Sequence, residues 1–375
     1  MIPMTRPLLD DTECDAVLRV LRSGMLVQGA EVERFEQLVA EQSGRAHGVA
    51  VANGTAALVL ALTAAGVGPG DEVLVPALTW PSPAHAVRGV GATVKLVDVH
   101  PDEWNSTEDA FAAARSPRTR AAIVIDQFGN PARAAALRPV LAGLLVIEDA
   151  ACALGSVFAD GTPCGSLGDI SCFSFHPRKV ITTGEGGMCV TNDAELARRL
   201  RVLRNHGQTA PGVFERHAGN HRLTELQGAL GVAQMARLGS INEGRRAHAR
   251  QIQAALRESA PGLSFQVAPA GSQPNLQTLG ALLPAGTSPA QRDRFIEDCR
   301  RFGAQAGPLS YALSQVSSVT PDPDATRPDG EPWVAVDLVA RGVSLPLFPT
   351  MSDADREQVI SAVTRAYAEL HAPPR

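Results

Sequence analysis

The stretch His47-Gly48-Val49-Ala50-Val51-Ala52-Asn53-Gly54-Thr55-Ala56-Ala57-Leu58-Val59-Leu60-Ala61-Leu62-Thr63-Ala64-Ala65-Gly66 decides the fold class. His47 to Ala52 reads as a strand, and Thr55 to Ala65 as a helix stopped by Gly66. The turn Gly68-Pro69-Gly70-Asp71 then leads into a second strand from Glu72 to Val75. Working outward, further strands are predicted at Thr93 to Val99, Ala121 to Asp126, Leu144 to Ile147, Ile170 to Phe175 and Met188 to Thr191. Helices are predicted near Arg133 to Leu141 and from Asp193 to about Leu203. Strands interleaved with helices imply a mostly parallel central sheet flanked by helices on both faces, with ligands at the carboxyl ends of its strands.

A polar, glycine-containing loop follows from Asn205 to His221. Leu223, Leu226, Leu230 and Ala233 then repeat at helical spacing, which predicts an amphipathic helix over Arg222 to Leu238. From about residue 245 the pattern changes to a helix, the breaker Pro261, strands near Phe265 and Leu279, and a helix from Pro289 to Arg301. A loop rich in Pro and Asp (Val316 to Pro332) precedes helices near Val334 to Ala340 and Ser352 to Leu370. The expected organisation is a large domain over 1–240 and a smaller C-terminal α/β domain over 241–375.

The 375 residues carry 34 basic and 39 acidic side chains, a net charge of -5, and no long charge run, which disfavours nucleic acid or an anionic membrane surface as a partner. Apolar runs such as Leu141 to Ile147 fall far short of the roughly 20 residues that span a bilayer. No signal-peptide core is read in Met1 to Asp11. The six cysteines (Cys14, Cys152, Cys164, Cys172, Cys189, Cys299) form no CxxC pair, so a reducing cytoplasm is expected and no metal site is read. Among the 34 basic residues only Lys95 and Lys179 are lysines.

That bias bears on chemistry. Lys179 sits in Ser174-Phe175-His176-Pro177-Arg178-Lys179-Val180-Ile181-Thr182-Thr183-Gly184-Glu185-Gly186-Gly187, a loop after a strand. An amine there can form a Schiff base if desolvation or a neighbouring cation such as Arg178 lowers its pKa, and a guanidinium cannot. A solvated loop lysine fits the same residues. Lys95 lies in Thr93-Val94-Lys95-Leu96-Val97, where alternation puts it on an outer or edge position. Asp149 ends an apolar run and needs a cation or strong donors there, since burial otherwise neutralises it. Glu148 beside it is expected to face solvent or cap, and a strand-end turn would explain both acids. Asn53-Gly54-Thr55 stands between strand and helix, where free N–H groups and the helix dipole suit a phosphate, although a plain capped turn reads the same way. Trp80 follows a strand, so its flat side chain can cover a planar ring or pack in the core. No Ser-His-Asp set or GxSxG elbow is present, and His176, His206, His217 and His221 lack a metal pattern.

Taken in order, these blocks resemble the DegT/StrS family of nucleotide-sugar aminotransferases, fold-type-I enzymes that use pyridoxal phosphate. The matching blocks are Asn53-Gly54-Thr55-Ala56-Ala57-Leu58, Glu148-Asp149-Ala150-Ala151, Gly168-Asp169-Ile170, Phe173-Ser174-Phe175-His176-Pro177 and Lys179 to Gly187. Further along come Arg204-Asn205-His206-Gly207, Gly219 to Gln227 and Ser344-Leu345-Pro346-Leu347. The resemblance implies that pyridoxal 5'-phosphate forms a covalent aldimine on Lys179, which shuttles protons, and that Asp149 pairs with the pyridine nitrogen. It also implies that Gly54, Thr55 and Ser174 hold the phosphate, that Trp80 stacks on the ring, and that Asn220 reaches the cofactor phosphate of the other subunit in a homodimer with shared active sites. Two positions depart from the family pattern: Cys152 replaces the usual Gln or His near the ring hydroxyl, and His221 replaces a common Tyr.

The expected activity is transfer of an amino group from glutamate to a keto group, at C4, of a nucleotide-linked keto-deoxysugar. The C4 expectation comes from Arg6-Pro7-Leu8, Arg22-Ser23-Gly24, Gln28-Gly29, Thr79-Trp80 and Leu345 to Pro349, which resemble members acting there. A free keto-cyclitol substrate, or a non-catalytic PLP-binding regulatory protein, are the alternatives.

Overall fold

The alternation that begins at His47 forms a seven-stranded sheet in a computed structural model, which describes residues 1–320, 327 and 329–370. From edge to edge the strands are His47–Val51, Gly187–Thr191, Ile170–Ser174, Leu145–Asp149, Thr119–Ile125, Glu72–Pro76 and Thr93–Val97. The last five pair in parallel, and Gly187–Thr191 is antiparallel to both its neighbours. Lys95 therefore lies on an edge strand, as the alternation predicts.

Alternate residues of each strand bury on opposite faces, and that is why both faces carry helices. Val49, Val51, Val73, Val75, Ile123 and Ile147 pack beneath the helices Gly54–Ala64, Ser82–Gly89 and Ala194–Arg204. The intervening Ala50, Phe173, Met188 and Val190 pack on the other face with Val32, Phe35 and Val39 of the helix Ala30–Gln42. Leu74, Ala122 and Val124 meet Phe111 and Leu137 of the helices Glu108–Ala114 and Ala134–Val140.

A second, antiparallel sheet runs in the order Ser264–Phe265, Leu279–Leu282, Gly342–Leu345 and Gly307–Pro308. The helices Leu238–Ser259, Pro289–Arg301 and Asp353–Leu370 cover it around Ile252, Leu256, Phe295 and Val359. The chain's first residues join this sheet region, where Ile2 N–H donates to the Gly303 carbonyl at 2.7 Å.

The helix expected over Arg222 to Leu238 is observed as Glu225–Met235, starting three residues later, and the helix expected from about residue 245 begins earlier, as Leu238–Ser259. Thr224 sets the start: its side chain accepts from Gln227 N–H while Gln227 Oε1 accepts from Thr224 N–H, a capping box. The loop Asn205 to His221 contains a short hairpin, Gln208–Ala210 with Val213–Phe214. Of the loop expected from Val316 to Pro332, residues 321–326 and 328 lie outside the described residues, as do 371–375.

Glu148 does not face solvent. It is fully buried and accepts from the N–H groups of Gly165 (2.6 Å), Leu167 (2.8 Å) and Gly168 (3.3 Å) and from Ser171 Oγ (2.7 Å). Four donors replace the hydrogen bonds that its carboxyl group loses on leaving water. Asp126, also fully buried, accepts from Ala132 N–H at 2.8 Å through Oδ1, while its Oδ2 has no hydrogen-bond partner among the described residues. Burial first, and then the Glu148 charge, push its carboxyl well above the ordinary range, while the Ala132 N–H holds it down.

A group whose folded pKa is raised loses stability as pH climbs from its ordinary value through the raised one. Asp126→Asn keeps the shape and the acceptor for Ala132 N–H without a group that titrates. Its melting temperature should equal or exceed the parent's at pH 8, with the advantage shrinking as pH falls toward about 4. Asp126→Ala strands Ala132 N–H and should cost about 1–3 kcal/mol in urea unfolding.

Candidate active site

Three strand ends on one side of the central sheet build the site. The strand His47–Val51 leaves the sheet at Ala52, whose N–H donates to the His221 carbonyl at 2.9 Å. Asn53 then caps the helix Gly54–Ala64, its Oδ1 accepting from Ala56 N–H at 2.8 Å. The N–H groups of Gly54 and Thr55 have no acceptor within the helix and carry its positive end. Thr55 Oγ1 is 2.7 Å from Ser82 Oγ at the start of the next helix.

Close approach explains the glycines here. A Cβ on Gly54 would stand 2.8 Å from Ser174 Cβ, and one on Gly187 would stand 2.3 Å from the Asn53 carbonyl oxygen. The structure thus brings Gly54 and Ser174, 120 residues apart in the chain (174 less 54), against each other at the helix start.

Asp149 ends the central strand Leu145–Asp149 and is 8% exposed. Its Oδ1 accepts from Ala151 N–H at 3.1 Å. Burial pushes the carboxyl above its ordinary range, the Lys179 charge and the Ala151 N–H pull it back, and Glu148 adds to the rise. The cation that the sequence requires for this acid is in part Lys179 itself.

Lys179 is held by a loop that bonds to itself. Its N–H donates to the His176 carbonyl at 2.8 Å, Arg178 N–H donates to His176 Nδ1 at 3.2 Å, and Thr182 Oγ1 donates to the Phe175 carbonyl at 2.8 Å. Phe175 is anchored in the core, its ring 4.8 Å from that of Phe35. Lys179 Nζ donates to Cys152 Sγ at 3.1 Å, so the side chain that replaces the expected Gln or His touches the amine directly.

Trp80 is 60% exposed, which removes the core-packing alternative, and its ring meets Tyr311 edge-on with centroids 5.2 Å apart. Nothing in the sequence singled out Tyr311. It arrives beside Trp80 because Tyr311–Ala312 pairs with Leu78–Thr79. Asn220 is exposed, bridges Asn205, and accepts from Arg222 N–H at 3.2 Å. Its side chain bonds to none of the other expected site residues, although the next residue, His221, accepts from Ala52 beside the helix start.

The donor set fits pyridoxal phosphate. A helix start with free N–H groups, a hydroxyl at Ser174 and a cradle that a Cβ on Gly54 would fill suit a phosphate. A buried carboxyl under-supplied with donors suits a protonated ring nitrogen, and a lysine at the same site suits an aldehyde.

Comparison with known proteins agrees. The DegT/DnrJ/EryC1/StrS aminotransferase family model matches residues 7–364. The aminotransferase TlmJ from Streptoalloteichus hindustanus is 31% identical over 99% of this chain and 100% of that chain, with a TM-score of 0.91. DesV from S. venezuelae, solved in complex with a ketimine intermediate, is 31% identical over 100% of this chain and 99% of that chain, with a TM-score of 0.87. GDP-4-keto-6-deoxy-D-mannose-3-dehydratase from E coli, solved with bound hydrated PLP, shares the fold at 22% identity, covering 97% and 99% of the two chains, with a TM-score of 0.88. A mostly parallel sheet, a buried Asp149 within reach of the Lys179 charge and a match along nearly the whole chain lead to one conclusion: the protein belongs to the DegT/DnrJ/EryC1/StrS aminotransferase family and is a pyridoxal-phosphate-dependent sugar aminotransferase.

Proposed function

We propose that the enzyme moves the amino group of glutamate to the C4 keto group of a nucleotide-linked keto-deoxysugar, with Lys179 and Asp149 as its catalytic residues. The observation that carries the residue assignment is the lysine itself, one of two in the chain, whose charge acts on the buried Asp149. The N-terminal and Leu345 to Pro349 blocks support the C4 nucleotide sugar. When bound, pyridoxal phosphate supplies an electron sink for the carbon that loses its proton.

The chain's own residues do the rest. Lys179 would hold the cofactor and then, once released, move a proton through Nζ. Asp149 would keep positive charge on the ring nitrogen, Gly54, Thr55 and Ser174 would hold the phosphate, and Trp80 would cover the ring with its exposed face.

We read residues 1–240 as the cofactor-binding domain and 241–375 as the smaller one, in a cytoplasmic homodimer. All six cysteines are free, in keeping with a reducing compartment, and no helix among the described residues is long and apolar enough to cross a membrane. Leu18, Leu21, Met25, Leu26 and Val27 are exposed, as are Val213 and Phe214 of the hairpin, an apolar surface suited to a second copy. Between these segments a groove of about 570 Å³ is lined by Arg198, Arg201, Arg204, Arg222 and Asn205, beside Asn220. Its charge suits the phosphate that Asn220 would reach across the dimer.

Three experiments test this reading. Lys179→Ala should lose the yellow absorbance of the lysine-bound cofactor and all transfer, and an unchanged visible spectrum would overturn the assignment. Asp149→Asn should slow conversion of the cofactor to its pyridoxamine form by glutamate on the order of 10²-fold or more. The cofactor-free variant should melt at or above the parent at pH 8, because the folded-state pKa of Asp149 is raised and its cost grows as pH rises. A panel of 4-keto and 3-keto nucleotide sugars and a keto-inositol, with glutamate and glutamine as donors, should give turnover on a 4-keto nucleotide sugar with glutamate. Turnover confined to the keto-inositol would overturn the substrate.

A further inference from the structure

Arg245, on the helix Leu238–Ser259, is 1% exposed and makes no ion pair among the described residues. Its guanidinium spends its donors on main chain instead. Nε and Nη2 donate to the Leu276 carbonyl at 3.2 and 3.1 Å, and Nη2 also donates to the Gln277 carbonyl. Leu276 itself is left-handed, with φ of 55°, a conformation that a bulky residue holds only when its surroundings enforce it.

A buried cation bonded to two successive carbonyls is such an enforcement, and it aims the flanking side chains at the active site. Asn275, fully buried, donates through Nδ2 to the carbonyls of Cys152 (2.9 Å) and Leu154 (3.0 Å). Gln277, 9% exposed, donates through Nε2 to the carbonyl of Arg178 at 2.6 Å, while Thr278 Oγ1 donates to its Oε1 at 2.8 Å and orients the amide. The main chain of Cys152 and the peptide that leads into Lys179 are therefore both tied to one three-residue strap. Between those two points lies the 3.1 Å contact of Lys179 Nζ with Cys152 Sγ.

We propose that Gln277 and Asn275, locked by Arg245, are positioning residues that set where the Lys179 amine and the Cys152 thiol stand relative to the cofactor. The strap lies outside the phosphate cradle, so it governs the orientation of the amine rather than retention of the cofactor. It also joins that orientation to the strand Leu279–Leu282, which follows at once in the chain, so a shift of the second sheet would reach the lysine. The inference rests on Lys179 being the residue that carries the cofactor.

The test uses the PLP-loaded enzyme. Gln277→Met keeps length and removes the donor, and Gln277→Glu keeps shape but turns the donor into an acceptor facing a carbonyl. Single-turnover conversion by glutamate should slow roughly 10-fold in the first and further in the second. The pH midpoint of the cofactor's visible absorbance should move in both variants, while PLP affinity stays within about threefold and the melting temperature within a few degrees of the parent. Rates within twofold of the parent with an unmoved midpoint would overturn the proposal. So would a loss of rate that merely follows equal losses of PLP affinity and melting temperature. If Lys179→Ala keeps the visible absorbance, the underlying assignment fails instead, so the two failures are distinguishable.

Discussion

The carboxyl of Asp149 ends the fourth of seven strands, where water is largely excluded and a negative charge costs free energy unless a cation answers it. One main-chain donor and the Lys179 charge answer only part of that cost, so the carboxyl remains raised above its ordinary range. A ring nitrogen that arrives with a proton supplies the remainder. The binding of a cationic ring and the relief of a buried acid are then one event, and the sheet's parallel order puts that acid at the end where loops can bring in the other groups.

The neighbouring acid is treated in the opposite way. Glu148 points to the other side of the same strand and receives four donors from the Gly165 to Ser171 segment, with Asp126 alongside, its carboxyl raised by burial. Two adjacent carboxyls thus have different environments because side chains alternate across a strand. One is fully satisfied and fixes the loop Gly165 to Gly168; the other is left for a ligand. A similar economy holds the lysine loop, where main-chain carbonyls take most of the donors and the side chains of Lys179 and Cys152 are left facing each other.

Much of this was legible in the chain. The strand and helix ends near Asn53 and Asp149 came from local alternation and capping chemistry, and Lys179 stood out because nearly every other basic residue is arginine. The burial of Glu148 was not legible, since its donors come from residues 17 to 23 positions later and leave no local mark. The later start of the helix at Thr224 was missed because Leu223 continues the apolar spacing across a polar cap. Asn275 and Gln277 gave no signal at all, since a loop amide has no periodicity and its targets lie about 100 or more residues away. Lys95, an unexplained exception in the sequence, stands on the edge strand within electrostatic reach of Glu72.

By itself the sequence determined the layered α/β class, the residues able to do the chemistry and the resemblance that links them, because these depend on patterns within a few residues or on side-chain type. Tertiary structure decided which acid lies within reach of the lysine's charge, that Trp80 keeps an open face, and that Arg245 fastens the strap beneath Cys152 and Lys179. Those outcomes turn on burial and on contacts between distant segments, and both exist only once the sheet has brought its strand ends together.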